Sequence, residues 1–563
     1  MSRRVSPLES ERADYRPRVP AVLGAGIGTV AVRESGTPVP PVASDDDEIR
    51  ARFPTTHGRP AVELAAGRDR VAADPLRVGV VLSGGQAPGG HNVIAGLADA
   101  LRAIHAGSRL FGFLRGPNGI LTNRHDELTA ERVGPFRNTG GFDMIGSGRD
   151  KIESDEQLAK SLEVCRGLDL DGLVVVGGDD SNTNAAVLSE YFATHGQKTV
   201  VVGVPKTIDG DLKGGGIEAS FGFDTATRVY GELIGNICRD ARSAGKYWHF
   251  IRLMGRSASH VTVECALRTQ VNVALVAEEA EQRGWTLDHV ADSVADVVRR
   301  RAAAGRNYGV CLVPEGLIEF IPEMRGLISE LNRILTAEGE AVERLDSADD
   351  KRALVASKLS QAGAKVFGSL PVLIQRQLLI DRDAHGNVQV SKIETESLIL
   401  SEVAERVEAW NASGEFAGKF SAMCHFFGYE GRCAPPSNFD ADYTYALGRL
   451  AAALVAHRRT GYVCAIQNLA APPDEWRAAG VPLTSLLAIE TRKGRRTPVI
   501  RKALVRLDAE PFLSFARERE RWQVDDEFMY PGPIQYFGPP EVCSVPTRTL
   551  ELERAASAST RGR

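Results

Sequence analysis

Short apolar runs and amphipathic stretches alternate along the chain, and most of the apolar runs stop in a loop of glycine, acid or base. Arg77 to Leu82, Gly172 to Val176 and Val200 to Val204 are nearly unbroken in valine and leucine, the pattern of strands buried on both faces of a parallel sheet. Ser108 to Leu114 predicts a further strand. Between them lie helical stretches: Val93 to Ile104, a second carrying Leu158, Leu162 and Cys165 behind a Ser154/Gln157 capping box, and a third with Ala185, Leu188 and Phe192 on one face. Asp224 reads as the cap of a helix whose Val229, Leu233 and Ile237 face a core. The theme returns at Phe250 to Leu253 and Asn307 to Val313, then from Met423 and at Gly461 to Ile466. Repeated strand-helix units predict an α/β fold of two Rossmann-like, doubly wound parallel-sheet domains, whose ligands bind beyond the carboxyl ends of the strands.

Two stretches break this rhythm. Residues 1–75 are rich in proline, arginine and acid, with the run Asp45-Asp46-Asp47-Glu48, and read as an arm over the surface. From about 320 to 420 helical spacing takes over, with Met324, Leu327, Ile328, Leu331, Ile334 and Leu335 in register, and predicts a mainly helical insertion that packs between subunits. The expected division is an N-terminal arm (1–75), one α/β domain (76–245), a second α/β domain (246–319 and 421–510), the insertion (320–420) and a C-terminal segment and tail (511–563).

Composition narrows the class. At 563 residues the chain exceeds what one hydrophobic core sustains. Its 43% hydrophobic and 25% charged residues, with a mean hydropathy of -0.16, are those of a soluble globular protein. A net charge of -5 supplies no basic field for nucleic acid or an anionic membrane, so any anion site must be built locally. The eight cysteines are scattered without a C-x-x-C pair and the histidines do not cluster, which argues against a disulfide framework or zinc site and for reduced thiols in the cytoplasm. No apolar run reaches the roughly 18 residues of a membrane span. Ala21 to Val32, preceded by Glu9, Glu11 and Asp14 and followed by Arg33-Glu34, is a poor signal peptide.

The chemistry sits where the strands stop. Val200 to Val204 runs into Pro205-Lys206-Thr207-Ile208-Asp209-Gly210-Asp211-Leu212-Lys213, where two carboxylates two residues apart can share a cavity, one taking a proton while the other holds a donor or a metal-bound water. A solvated turn has the same composition, and the segment alone leaves both readings open. After Leu82, Gly84, Gly85, Gly89 and Gly90 lie ahead of a helix, where backbone N–H groups can approach an anion at the positive helix end. This is neither a Walker loop nor a dinucleotide fingerprint, and a tight strand-to-helix turn is the alternative. A second glycine-rich loop, Asn138 to Lys151, brings Arg149 and Lys151, and Gly177-Gly178 leads to Asp179-Asp180.

Phosphoryl transfer needs a cradle for the donor phosphates, a metal carboxylate, a base for the acceptor hydroxyl and cationic clamps. Gly84 and Gly85 suit the cradle, Asp179 suits Mg²⁺, Asp209 the base and Lys206 a fixed positive charge. Arg256, Arg432 and Lys246 suit a phosphate that is not transferred, with Glu315 and Tyr429 for sugar hydroxyls. Singly, each is also an ordinary surface charge or a half-buried tyrosine.

With SGGQAPGGHN, GGFDMIGSGRDKIE, GGDDSNTNA, PKTIDGDLK, SFGFDTAT, MGRSASH, NYGVCLVPEGLIEFIPE, HGNVQVSKIETE and HFFGYEGR in order from about 77 to 530, the sequence resembles the phosphofructokinases. It looks like the long, plant-type, pyrophosphate-dependent members, above all their catalytic beta subunit. The resemblance implies the phosphofructokinase fold and a Mg²⁺-dependent, reversible transfer from pyrophosphate to the 1-hydroxyl of fructose 6-phosphate, giving fructose 1,6-bisphosphate and phosphate in cytoplasmic glycolysis or gluconeogenesis. By similarity, domain 76–245 takes pyrophosphate and metal and the second α/β domain takes the sugar phosphate. Gly84, Gly85, Asp180 and Lys206 face the donor, Asp179 holds the metal, and Asp209, Lys206 and Arg256 are catalytic. Thr207, Ile208, Asp209, Met254, Gly255, Arg256, Glu315, Tyr429, Glu430, Gly431 and Arg432 line the sugar pocket. Lys246 and Tyr247 reach the pocket of a neighbouring subunit, so the resemblance implies a homo-oligomer, dimer or tetramer.

ATP-using relatives carry glycine where this chain has Asp180 and Lys206. An aspartate puts bulk and negative charge where an α-phosphate and nucleoside would lie, and a lysine neutralises the second phosphate of pyrophosphate. Two alternatives are an ATP-dependent phosphofructokinase that tolerates Asp180 and a non-catalytic regulatory subunit. The second should have lost the acids of the central loop, yet Asp179, Asp209 and Asp211 are all present.

Overall fold

The structure is a computed structural model that describes residues 5–43, 45–380, 388–492, 495–534 and 546–561. The chain forms two compact units. Unit 1 comprises Met1–Val229, Tyr429–Ala503 and Ile534–Arg554; unit 2 comprises Tyr230–Gly428, Leu504–Pro533 and Ala555–Arg563.

Unit 1 is built on a ten-stranded sheet among the described residues. Its parallel centre runs Tyr462–Gln467, Val200–Thr207, Gly172–Gly177, Arg77–Leu82, Arg109–Phe113. The valine-rich runs are central because they can be buried on both faces: Val80, Val174, Val201, Val202 and Val204 have no exposed surface. Register sets the working edge. Leu82 pairs with Val176 and Val176 with Val204, so the loops after all three strands leave at one end of the sheet. Helices Gly90–Ile104 and Asp179–Thr194 follow two of these loops, and the Ser154/Gln157 capping box opens Asp155–Gly167. The helix Phe223–Ala244 begins one residue ahead of Asp224, whose carboxylate accepts from Ser437 Oγ (2.6 Å) and Arg228 Nε (2.7 Å).

Residues 1–75 are not only a surface arm. Ala31–Pro38 and Pro60–Ala65 extend the sheet beyond Arg477–Pro482 as antiparallel strands, and Leu23, Ile27, Ile49, Phe53, Val62 and Leu64 are buried. The expected second domain also changes. Tyr429–Ala503 belongs to unit 1, because Tyr462–Gln467 pairs in parallel with Val200–Thr207 and Arg477–Pro482 completes that side of the sheet.

Unit 2 holds a parallel four-stranded sheet in the order Val273–Ala274, Gly309–Pro314, Trp248–Leu253, Ala422–Phe427. Pro314, Leu253 and Phe427 share one register row, so their following loops also leave at one end. The helices Pro322–Glu343 and Thr395–Ser413 bury Met324, Leu327, Leu331, Leu398 and Ile399 in the same core as Trp248 and Phe250. Their packing within this unit accounts for the helical spacing of the sequence. Among the described residues no helix is long and apolar enough to cross a membrane, and seven cysteines are free; Cys543 lies outside them.

Candidate functional site

In unit 1 the strand ends converge. Gly84 sits at φ +84°, a conformation open to glycine, and its N–H donates to the Gly148 carbonyl at 2.8 Å, tying the first glycine loop to the one that carries Arg149. A Cβ at Gly84 would lie 3.2 Å from Lys206 Nζ; one at Gly85 would lie 3.2 Å from Arg432 Nη1 and 3.7 Å from Arg149 Nη2. The bare backbone at 84–85 is therefore what lets three cations close on one spot. Arg432 comes from the short helix Tyr429–Arg432, where Glu430 is exposed, Gly431 buried, and the Tyr429 ring 66% exposed with the Arg432 guanidinium 5.8 Å from its centre.

Lys206 is the penultimate residue of the central strand Val200–Thr207 and is 6% exposed. Burial, then the nearby Arg432, push its ammonium down to about 8, against the opposing pull of Asp209 and Asp179. Downstream, Thr207 Oγ1 accepts from the Asp209 N–H at 3.1 Å, fixing the loop at Ile208, which is buried, and leaving Asp209 half-buried. Asp211 is buried. Desolvation first, and the Asp209 carboxylate second, hold it well above the usual carboxylate range, while Lys502 pulls it down. Asp179 opens the helix Asp179–Thr194, and exposed Asp180 follows it, its Oδ1 3.3 Å from Lys151 Nζ.

Sequence reasoning missed Lys502. Its Nζ lies 3.5 Å from Asp179 Oδ2 and 3.9 Å from Asp211 Oδ2. It follows the hairpin Leu487–Arg492/Arg495–Ile500, and nothing local in Arg501-Lys502-Ala503 signals the acids it meets.

The other predicted residues lie in unit 2. Met254, Gly255 and Arg256 follow Trp248–Leu253; Met254 is buried, Gly255 has φ +124° and Arg256 is exposed. Glu315 is buried, its N–H bonded to the Leu253 carbonyl at 3.0 Å and its own carbonyl accepting from Thr395 Oγ1 at 3.2 Å. Gly316 packs on the Arg256 carbonyl, where any Cβ would clash at 1.9 Å. Arg252, two residues before Met254, is buried over the Phe426 ring (4.2 Å) and pairs with Glu396 (3.0 Å), whose carboxyl burial pushes up to about 7. Lys246 is exposed, its ammonium 4.9 Å from the centre of the Tyr247 ring.

A family profile described as phosphofructokinase matches residues 77–367, a stretch that holds Leu82, Gly177 and Thr207 of one sheet and Leu253 and Pro314 of the other. The chain belongs to the phosphofructokinase family. Among phosphofructokinase relatives, the "Pyrophosphate--fructose 6-phosphate 1-phosphotransferase" of Porphyromonas gingivalis is 52% identical over 549 residues, covering 98% of this chain and 99% of its own. The "Pyrophosphate--fructose 6-phosphate 1-phosphotransferase subunit beta 1" of Arabidopsis thaliana is 48% identical over 548 residues, 97% of this chain and 94% of its own. The crystal structure of a pyrophosphate-dependent phosphofructokinase from Nitrosospira multiformis superposes with a TM-score of 0.53 at 17% identity, over 84% of this chain and 97% of that one, a likeness of fold.

Proposed function

We propose that this chain is a phosphotransferase that moves a phosphoryl group reversibly from pyrophosphate to the 1-hydroxyl of fructose 6-phosphate, yielding fructose 1,6-bisphosphate and phosphate, with Mg²⁺, as a homo-oligomer of the cytoplasm. The observation that carries the reading is the cup formed by the bare backbone of Gly84 and Gly85 beneath Lys206, Arg432 and Arg149. It fits two linked phosphates, and the relatives' names supply the donor. Asp180, exposed and 3.3 Å from the Lys151 ammonium, supplies the bulk and negative charge that this reading sets against a nucleotide donor.

In the forward direction the 1-hydroxyl oxygen forms a bond to one phosphorus as the bridging bond of pyrophosphate breaks, and Asp209 takes the hydroxyl proton. Asp209 is suited to this because the Thr207 hydroxyl fixes its backbone at the end of a buried strand. Lys206, protonated at pH 7, and Arg432 neutralise the charge collecting on the departing phosphate. In this nearly dry setting a fixed charge acts more strongly than in water. The convergence of Asp179 and Asp211 on one ammonium fits a magnesium ion, which takes one or two carboxylates and keeps its waters. When bound, that ion shields the charge of the donor phosphates. Within unit 2, Arg256, Met254, Gly255 and Glu315 serve the sugar phosphate; within unit 1, the same role falls to Thr207, Ile208 and the Tyr429 to Arg432 segment. Lys246 and Tyr247, exposed and half-buried, serve the pocket of a neighbouring subunit.

The test is fructose 1,6-bisphosphate formation by the purified chain with Mg²⁺ and fructose 6-phosphate, offering pyrophosphate or ATP as sole donor. Turnover with pyrophosphate alone is expected. Turnover with ATP alone overturns the donor assignment, and no turnover with either favours a regulatory subunit.

A further inference from the structure

Lys502 is held in place from both sides. Two residues before it, the Ile500 N–H donates to Thr183 Oγ1 (2.9 Å) on the helix that Asp179 opens; one residue after it, the Ala503 N–H donates to the Asp211 carbonyl (2.7 Å). The hairpin is thus fastened to both acid-bearing elements, and the ammonium between the fastenings stands 3.5 Å from Asp179 Oδ2 and 3.9 Å from Asp211 Oδ2. These are distances of a cation shared between two carboxylates rather than committed to one.

We propose that Lys502 is the resident counter-cation of the Asp179/Asp211 pair and competes with the divalent ion for it. The inference rests on the reading of Asp179 as the metal carboxylate. Magnesium takes one or two carboxylates and retains several waters, so a hydrated ion held by Asp179 and Asp211 would contend with the Lys502 ammonium that stands between them. Without metal, the ammonium prevents two acids, with Asp209 beside them, from repelling one another; with metal, it is released as a further cation beside Lys206 and Arg432 for a phosphate oxygen. Lys502 is accordingly a positioning residue that couples metal entry to donor capture.

The test is Mn²⁺ binding to the purified full chain without substrate, read by electron paramagnetic resonance, for the natural protein, Lys502→Met, Lys502→Arg and Asp179→Asn. Removing one unit charge about 4 Å from the acids is expected to tighten Mn²⁺ binding about tenfold in Lys502→Met, with Lys502→Arg close to the natural protein. Lys502→Met is also expected to raise KM for pyrophosphate. Unchanged or weaker Mn²⁺ binding in Lys502→Met, while Asp179→Asn still abolishes it, overturns the competition and leaves the metal reading standing. Equal binding by Asp179→Asn and the natural protein overturns both. A second measurement needs no variant: labelling of Lys502 by an amine reagent, followed by mass spectrometry, should accelerate several-fold when Mn²⁺ is added. An unchanged or slower rate overturns the proposal.

Discussion

In unit 1 the strands Gly172–Gly177 and Val200–Thr207 are flanked on both sides by other strands, and charged groups at their ends are taken out of water; Lys206 and Asp211 are each 6% exposed. In unit 2 the strand Ala422–Phe427 stands at the outer end of the sheet order, Met423 on it is 44% exposed, and Arg256 and Lys246 extend into solvent. The same α/β logic therefore gives two kinds of site. Buried ends fix a few charges at high electrostatic value, at the cost of desolvating them. In unit 2, Arg256 and Lys246 instead stand out as long, adaptable cations suited to gripping a phosphate, although Glu315 and Met254 beside them are buried. Chemistry is expected from the first, recognition from the second.

Substitutions in the two units should therefore separate kcat from KM. The largest effect is expected for Asp209→Asn, which keeps shape and removes the proposed proton acceptor: kcat should fall by about 10²–10⁴ with the circular dichroism unchanged. A loss below tenfold would break the contrast. Lys206→Met should lower kcat/KM for pyrophosphate by about 10²–10³, the scale of losing one preorganised charge-stabilising group.

Lys206 also carries a pH signature. Its folded value near 8 lies below the unfolded lysine value, so between the two the unfolded chain holds more protons and stability rises with pH. Below pH 8 the buried ammonium is a cost, and Lys206→Met should be the more stable protein in urea titrations at pH 7, with the gap closing at pH 9.5 and above. In the natural enzyme kcat/KM for pyrophosphate should fall above about pH 8 as that ammonium loses its proton.

Arg256→Ala should act on the other side, raising KM for fructose 6-phosphate about ten- to a hundredfold with a smaller change in kcat. The smallest effect tests the support beneath that pocket. Thr395→Val deletes the bond to the Glu315 carbonyl and is expected to raise the same KM about two- to fivefold, the size of one net hydrogen bond. If steady-state kinetics show Thr395→Val lowering kcat instead, the division of labour between the units is drawn wrongly.

Much of this could be read from the chain, for a physical reason. A strand buried on both faces is apolar whatever its neighbours, so Arg77–Leu82, Gly172–Gly177 and Val200–Thr207 declare themselves, and the chemistry follows at their ends. The additions at the sheet margin do not. Pro60–Ala65 buries only Val62 and Leu64, and the surrounding proline, arginine and aspartate carry the composition of an unstructured arm. Lys502 was illegible for another reason. Its meaning lies wholly in partners about 290 and 320 residues away, and a lysine two residues past a hairpin is what a solvated segment would also contain. Asp179 and Asp209 are proposed from their glycine-rich neighbours, whereas Lys502, which lies 3.5 Å from Asp179, has no such neighbours to mark it.

The pairing of Val200–Thr207 with Tyr462–Gln467 has a consequence for how the protein is made. About 255 residues separate Thr207 from Tyr462. At ~5–20 residues per second, a ribosome needs roughly 13–50 s to deliver the second strand after the first has emerged. Throughout that interval the strand that carries Lys206 has one side of its backbone without its native mate, the kind of sticky ribbon that other nascent chains can join. The strand that carries Lys206 and leads to Asp209 is thus also one that a chaperone would need to shield during synthesis.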